Sequence, residues 1–508
     1  MEYRTGMKLV QEYFFGSLIR FGTPKLAILL VVLCYVFPFQ GARGIYESTE
    51  GRYSDVAYTM LASGDWVHPK LHSEQPHWTK PPLYYWATAA SLKLFGKNAF
   101  AMRFPNALAY LLTLVLVGFM GRIFTPKHPW LSALIFGTCL FPIAASNAIS
   151  TDGMLTLFET AAMACFAVLC LGKMDKANRL LWSMAGSVLL GLAFLTKGPP
   201  ALLPLLGILI FLIIDKDLRT NFHWQSFVIG LILFVMVGGS WFFYVINENP
   251  DLLNYFLKHE VVNRVATAEH KRNAGPFGGF IVYLPTLIIG TLPWSKAVFS
   301  GIYKNAKQAI LFARKKGSLP EKEDLFLLCW ILIPLMVFFL AKSRLPLYIL
   351  PLFIPLALIA ARNISVEIFH RTKVLILLFL LIAAMILLRA TIGFVQLNQD
   401  SRVLADQLDN ITQRDYTEVV FVDTRPHYGL SIYLDVPIEQ IDFRDHYDGF
   451  VPLETLEAEL RVNGQNRIWM VAENDSEGFV SYLKEKGINV KLLGWVKGMK
   501  KFGVYRFD

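Results

Sequence analysis

Nine ionisable residues stand where apolar runs end: Glu50, Arg52, Lys80, Asp152, Lys197, Arg264, His270, Lys342 and Arg344. Charged side chains are expensive beside lipid unless they line a water-filled cavity, so their recurrence at run ends is a functional signal. The mixture suits one chemistry in particular. A carboxylate can take the proton of an incoming hydroxyl, while Lys and Arg neutralise the charge that develops on a phosphate leaving group. A lipid-phosphate sugar donor is the matching substrate class. A transporter of anionic lipids would want the same cations.

Each position also has a plainer reading. Arg52 and Asp55 are one helical turn apart and can form an i,i+3 ion pair. Asp152 follows Ser150-Thr151 at the start of an apolar helix, where an N-cap or first-turn carboxylate is favourable. Tyr84, Tyr85 and Trp86 follow Pro81-Pro82, which forces an extended entry into the next helix, and these aromatics suit a membrane-interface belt.

The elements that position these residues are set by composition. The chain of 508 residues is 54% hydrophobic and 14% aromatic with a mean hydropathy of +0.43, more apolar surface than a soluble domain of this length buries. Crossing roughly 30 Å of hydrocarbon takes about 20 apolar residues in a helix. Runs of this kind cover residues 24–40, 104–121, 130–147, 153–171, 180–196, 199–214, 226–246, 277–297, 325–341, 345–361 and 373–393, which is about eleven spans. Nothing between Phe39 and Glu50 resembles a small-residue cleavage site, so the first run reads as an uncleaved anchor.

Alternate loops are rich in Lys and Arg: Lys8, Arg20 and Lys25, then Arg122 and Lys127, then Lys173, Lys176 and Arg179, then Lys216 and Arg219. The same side takes Lys304, Lys307, Arg314, Lys315, Lys316 and Lys322, then Arg362, Arg371 and Lys373, and positive residues in short loops stay in the cytoplasm. For the parity to hold, residues 83–95 lie along the membrane or form one of two further spans, giving eleven to thirteen. The outer face then carries residues 41–98, the neighbourhood of Asp152, residues 247–276 and the tail. The basic excess of +10 is topological, and no basic, aromatic-interleaved module for nucleic acid is present. Cys34, Cys139, Cys165, Cys170 and Cys329 all fall inside apolar runs, where they pack and offer no metal-type spacing.

The fold class expected is therefore a polytopic α-helical membrane protein, residues 1–394, followed by a small α/β domain over 395–508. In that tail residues 417–423 and 467–472 read as strands, 454–462 and 479–486 as helices, and 488–493 as a further strand. At roughly 110 residues it is large enough to bury a core of its own.

The order of motifs carries a resemblance. Glu50-Gly-Arg52-Tyr53, Met60-Leu-Ala-Ser-Gly-Asp65-Trp66, Lys80-Pro81-Pro82-Leu-Tyr84-Tyr85-Trp86, Ser-Thr-Asp152-Gly-Met-Leu and Thr196-Lys197-Gly198 come first. Asn263-Arg264, His270 to Pro276, Tyr283-Leu284-Pro285, Leu292-Pro293-Trp294 and Ser343-Arg344-Leu345-Pro346-Leu347-Tyr348-Ile349-Leu350-Pro351 follow. Together they resemble the GT-C glycosyltransferases, in particular the bacterial lipid A aminoarabinose transferases (ArnT-like) and, more distantly, the protein O-mannosyltransferases.

The resemblance implies an inverting transfer of sugar from a polyprenyl phosphate, undecaprenyl phosphate in bacteria, to an envelope acceptor, with lipid A leading. It implies a bacterial inner membrane location with the site facing the periplasm. Arg52 and Lys80 would hold the donor phosphate with help from Lys197, and Asp152 would shape the acceptor side. Glu50 and Asp152 are the candidate catalytic carboxylates. Tyr53, Tyr84, Tyr85, Arg264, His270, Lys342, Arg344 and Tyr348 complete the candidate substrate-binding set. The partners expected are thus a polyprenyl-linked sugar, an envelope acceptor and membrane lipid, without nucleic acid.

The chain departs from the group in three places. Relatives carry an Asp-Glu pair before x-Arg-Tyr and a Glu before Lys-Pro, where this chain has Thr49-Glu50 and Thr79-Lys80, and Val261 stands where a His is usual three residues before the Arg. A divalent metal held by those ligands is therefore not supported by the residues present, and Glu50, with Glu47 behind it, is the base that remains. Two other functions fit the same sequence: protein O-glycosylation, differing in the acceptor groove, and non-catalytic binding or flipping of polyprenyl-linked sugars. Span centres that are almost charge-free favour one-sided chemistry over transport.

Overall fold

The computed structural model describes residues 35–71, 75–172, 174–215, 223–262, 273–443, 454–460 and 466–507. They fall into two compact units. One is drawn from residues up to Pro38 with Asn106–Asn147 and Thr151–Ile386, the other from Phe39–Pro105, Ala148–Ser150 and Leu387 onward.

The first unit is a helical membrane bundle. Among the described residues, six helices are long and apolar enough to cross a bilayer: Ala99–Phe124, Thr151–Leu171, Lys176–Lys197, Lys322–Leu340, Pro346–Asn363 and Thr372–Ile392. Thr372–Ile392 has only 11% of its apolar window buried, so most of its circumference is left to lipid. The chain is a polytopic membrane protein.

Three expected runs are broken rather than straight. Residues 130–147 form Trp130–Thr138 and Leu140–Ala145, separated at Cys139, which is extended. Trp224–Gly238 and Ser240–Glu248 meet at 52° across Gly239, and Gly278–Gly290 and Ser295–Ala313 meet at 114°. The third break carries Thr291-Leu292-Pro293-Trp294, and a proline there removes a helix donor. Apolarity marks the length of such a run and is silent about a bend within it. Pro199–Ile214 is a shorter apolar helix.

The bundle core is aromatic, with Phe124 and Phe211 packed at 5.9 and 5.4 Å from Phe326 and with Trp330 fully buried. Small residues bring backbones together, as expected where lipid supplies no hydrophobic drive between helices. A Cβ at Gly207 would lie 2.6 Å from the Cys329 carbonyl oxygen, so Pro199–Ile214 reaches Lys322–Leu340 only because that residue is glycine. One end of the bundle gathers charge. Arg362 bonds Asp324, Glu321 and the Phe124 carbonyl, and Lys322 pairs with Asp215.

The second unit holds an α/β domain. Its six strands are β1 (Glu418–Val422), β2 (Ile438–Asp442), β3 (Glu454–Thr455), β4 (Arg467–Ala472), β5 (Val490–Lys497) and β6 (Lys501–Phe507), in the order β3-β2-β1-β4-β6-β5. β1 and β4 run parallel with Val419 opposite Ile468 and Phe421 opposite Met470. Both faces are covered, as a parallel sheet requires. Val419 and Phe421 pack under Leu404 and Leu408 of helix Ser401–Thr412, while Val420 and Val422 pack under Phe479 and Leu483 of helix Ser476–Glu485. The helix expected over 454–462 is instead β3 followed by a single turn, Leu456–Glu459, with residues 461–465 outside the description.

The same unit contains helices Thr49–Ser63 and Leu83–Phe95. Gly64 at φ 73 ends the first of these, and the Asp65 carboxylate then accepts the Val67 and His68 amides. The segment before Thr49 is stitched to the tail by main-chain bonds, Glu47 N–H to the Gln399 carbonyl at 2.8 Å and Ser401 N–H to the Ile45 carbonyl at 2.9 Å.

Candidate active site

In the membrane bundle, Asp152 sits in the first turn of Thr151–Leu171, so of its two plainer readings the first-turn one holds, and Lys197 is the last residue of Lys176–Lys197. Each charge thus occupies the helix end whose dipole favours it. The two form a buried ion pair, and the Lys197 ammonium also lies 4.5 Å from the centre of the Tyr348 ring, on the segment Pro346–Leu352. Gly198, at φ 78 and ψ −141, turns the chain immediately after the lysine. Three residues singled out by sequence therefore meet at three helix ends. The Lys197 ammonium is thus buried with the Asp152 carboxylate bonded to it, the Tyr348 π face beside it and the buried Glu159 within electrostatic reach.

Arg344 is differently engaged. Its Nη1 donates to the carbonyls of Asn273 and Gly275 at 2.8 Å, its Nη2 donates to that of Phe339 at 3.0 Å, and the Asn273 side-chain amide donates back to the Arg344 carbonyl. It ties a loop to the bundle. Lys342 is exposed beside it. Arg264 and His270 lie outside the described residues.

In the second unit Glu50 opens helix Thr49–Ser63. Arg43 holds its carboxylate through two bonds of 2.6 and 2.8 Å, and Arg103 adds a third at 3.1 Å. The amides of Tyr46 and Ile149 donate to it as well. Burial pushes its pKa up, but Arg103 and Arg43 outweigh burial and hold it at about 2. A carboxylate so held is a weak proton acceptor. Arg103 is itself fully buried and donates to the carbonyls of Gln40, Arg43 and Gly44. Neither arginine was singled out from sequence. The available signal was Arg103 near the start of an apolar helix, where a cation needs a partner.

Glu47 behaves oppositely. It is buried, accepts the Gly429 amide at 2.6 Å and the Ser401 hydroxyl at 2.9 Å, and burial raises its pKa to about 8 against these bonds and the charge of Arg52. Arg52 is half-buried, donates through Nε to the Ser48 carbonyl at 3.3 Å and enters no ion pair among the described residues. Lys80 is buried, with its ammonium donating to the Thr79 carbonyl at 2.6 Å.

The tyrosines of the second unit form a packed cluster. Tyr53 meets Tyr84 and Tyr85 edge-on at 6.1 and 5.9 Å, and the last two are fully buried between Thr49–Ser63 and Leu83–Phe95. They hold two helices together in this structure.

The residues present do not fit a metal at the usual positions. Thr49 and Thr79 replace carboxylates, and the Thr79 hydroxyl is bonded to His77 Nε2 at 2.7 Å. Elsewhere among the described residues, Glu418, Glu439 and Glu459 come within 4.8 Å of one another, but Arg467 already bridges Glu418 and Glu459 at 2.5 and 2.6 Å.

The model of the family described as dolichyl-phosphate-mannose-protein mannosyltransferase matches residues 19–254. An undecaprenyl phosphate-alpha-4-amino-4-deoxy-L-arabinose arabinosyl transferase from Edwardsiella ictaluri is 32% identical over 342 residues, 66% of this chain and 58% of that protein. One from Yersinia pestis is 29% identical over 383 residues, 73% and 66% of the two chains. The chain thus spans 58% of the length of the first curated relatives it matches. Among solved structures, ArnT from Cupriavidus metallidurans bound to undecaprenyl phosphate superposes with a TM-score of 0.75 at 19% identity, covering 95% of this chain and 98% of that one. The Archaeoglobus fulgidus oligosaccharyltransferase superposes at 0.51 with 11% identity, covering 80% and 63%. The superpositions show the fold that this chain shares with those structures, and the family model and the aligned relatives show what its sequence is similar to.

Proposed function

We propose that the protein is an inverting glycosyltransferase that moves a sugar from undecaprenyl phosphate to lipid A. The acceptor oxygen bonds to the anomeric carbon as the bond from that carbon to the phosphate oxygen breaks, and the polyprenyl phosphate leaves as an anion. The observation that carries this reading is the Lys197 ammonium, buried against Asp152 and Tyr348 in a bundle whose fold superposes on ArnT bound to undecaprenyl phosphate. The arabinosyl transferase relatives add support for the donor class and for lipid A.

Lys80 and Arg52 are the further donor-phosphate ligands. Arg52 enters no ion pair among the described residues, and the Lys80 ammonium is buried and donates to the Thr79 carbonyl. Glu50 positions Arg43 and Arg103 rather than accepting a proton. An acceptor that already carries an ionised nucleophile, such as a phosphate of lipid A, then needs no general base. The Lys and Arg content of the bundle end bearing the Arg362 network supports reading that end as cytoplasmic and the Asp152–Lys197 pair as periplasmic, at the inner membrane.

Comparison of lipid A by mass spectrometry with and without the gene tests the function. Loss of a sugar increment with the gene deleted supports it. Unchanged lipid A with altered glycoproteins would move the acceptor to protein.

A further inference from the structure

The helix Ser295–Ala313 has no part in the proposed transfer, and its surface is unlike that of the other helices. Between Ser295 and Pro320 the chain carries six basic residues, Lys296, Lys304, Lys307, Arg314, Lys315 and Lys316, and no acidic one. All six are exposed. Four apolar or aromatic residues are exposed among them: Phe299, Tyr303, Ile310 and Phe312, at 36%, 69%, 53% and 43%.

The two faces separate by helical spacing. Val298, Gly301 and Asn305 form the buried stripe, and a Cβ at Gly301 would meet Ile359 and Asn363 at 2.5 and 2.6 Å, next to Arg362. The opposite stripe runs Lys296, Phe299, Tyr303, Lys307, Ile310 and Arg314, with cations interspersed among aromatic and apolar side chains. The 114° bend at residues 291–294 turns this helix sharply away from the direction of Gly278–Gly290. A helix that is inward-packed on one stripe and basic and aromatic on the other has the surface of an element lying in the headgroup plane, with rings in the acyl boundary and ammonium groups among phosphates. Its place beside the Arg362 network puts it at the basic end of the bundle.

We propose that Ser295–Ala313 lies along the membrane surface and selectively binds anionic phospholipid headgroups through Lys296, Lys304 and Lys307. The absence of acidic residues across this segment supplies the charge complementarity, and the bent continuation from an apolar helix supplies contact with the bilayer.

The test is native mass spectrometry of the full chain titrated with phosphatidylglycerol or phosphatidylcholine. Each lysine near an anionic surface is worth roughly fivefold in affinity, so Lys296→Gln, Lys304→Gln and Lys307→Gln together weaken phosphatidylglycerol retention at least about tenfold. Phosphatidylcholine retention stays as in wild type. The matching triple Lys→Arg variant, which keeps charge and helix propensity, restores phosphatidylglycerol binding and separates charge loss from misfolding. Equal retention of the two lipids by wild type, or unchanged phosphatidylglycerol retention in the Gln variant, overturns the proposal. So does full competition by millimolar inorganic phosphate, which would mean an anion site without lipid selectivity. The readout is independent of sugar transfer.

Discussion

Arg103 and Glu50, 53 residues apart in sequence, meet at 3.1 Å with the arginine fully buried. Glu50→Gln leaves Arg43 and Arg103 without their carboxylate, and breaking a buried pair from one side costs about 3–5 kcal/mol. The expected result is a lower thermal-unfolding midpoint and reduced yield of folded protein, with the surviving fraction still transferring sugar. Because the folded pKa is depressed, the contribution of Glu50 is fully present above 4.5 and is lost as pH falls towards about 2. A normal midpoint with turnover abolished would return Glu50 to the role of base.

Glu47 carries the opposite sign. Its folded pKa, about 8, lies above its ordinary 4.5, so between those values the folded state holds a proton that the unfolded chain has lost. Stability contributed by this group therefore falls as pH rises through that window. Glu47→Gln, which imitates the protonated acid, flattens the decline of the unfolding midpoint between pH 5 and pH 8 in parallel scans. An unchanged pH profile in the variant would contradict the assignment.

Tyr84 is buried among rings, and its hydroxyl finds no hydrogen-bond partner among the described residues. Removing an unpartnered buried hydroxyl is close to neutral, so Tyr84→Phe changes stability by less than about 1 kcal/mol. Turnover stays within about twofold of wild type. A loss of donor binding in a folded Tyr84→Phe protein would show that this hydroxyl reaches substrate.

What the sequence made legible follows from length and period. Six helices with 18-residue apolar windows stand out against any background. β1 and β4 announce themselves as Glu-Val-Val-Phe-Val and Arg-Ile-Trp-Met-Val-Ala. β2, Ile-Glu-Gln-Ile-Asp, and β6, Lys-Phe-Gly-Val-Tyr-Arg-Phe, do not, because charged and glycine residues interrupt them and pairing with neighbours decides their state. The amphipathic helix Ser401–Thr412 escapes for a related reason, since a run more than half polar stands out only once its apolar stripe finds the sheet. In the site, Asp152 and Lys197 are readable as charges at helix ends. That they meet each other and Tyr348 is a property of the packing. The arginines on Glu50 were hidden in the same way, and without them Glu50 reads as a base.

The Asp152–Lys197 pair predicts non-additive mutants. Asp152→Asn alone leaves a buried ammonium without its carboxylate, whereas the same change in a Lys197→Gln background does not. The cycle in kcat/KM should give a coupling of about 1–3 kcal/mol, as for residues in direct contact. Additive losses would mean that the two act separately in transfer.

The central claim is glycosyl transfer from a polyprenyl phosphate, and reconstituted turnover tests it most directly. Purified protein in liposomes is supplied with lipid A and a radiolabelled undecaprenyl phosphate sugar, and both products are quantified. The account predicts sugar-modified lipid A and free undecaprenyl phosphate in equal amounts. Arg52→Ala and Lys80→Ala each weaken donor binding by about 2–5 kcal/mol, the cost of removing one partner from a desolvated charge pair. Donor that is bound or moved between leaflets, with no glycosidic product formed on lipid A or on protein, would contradict the account.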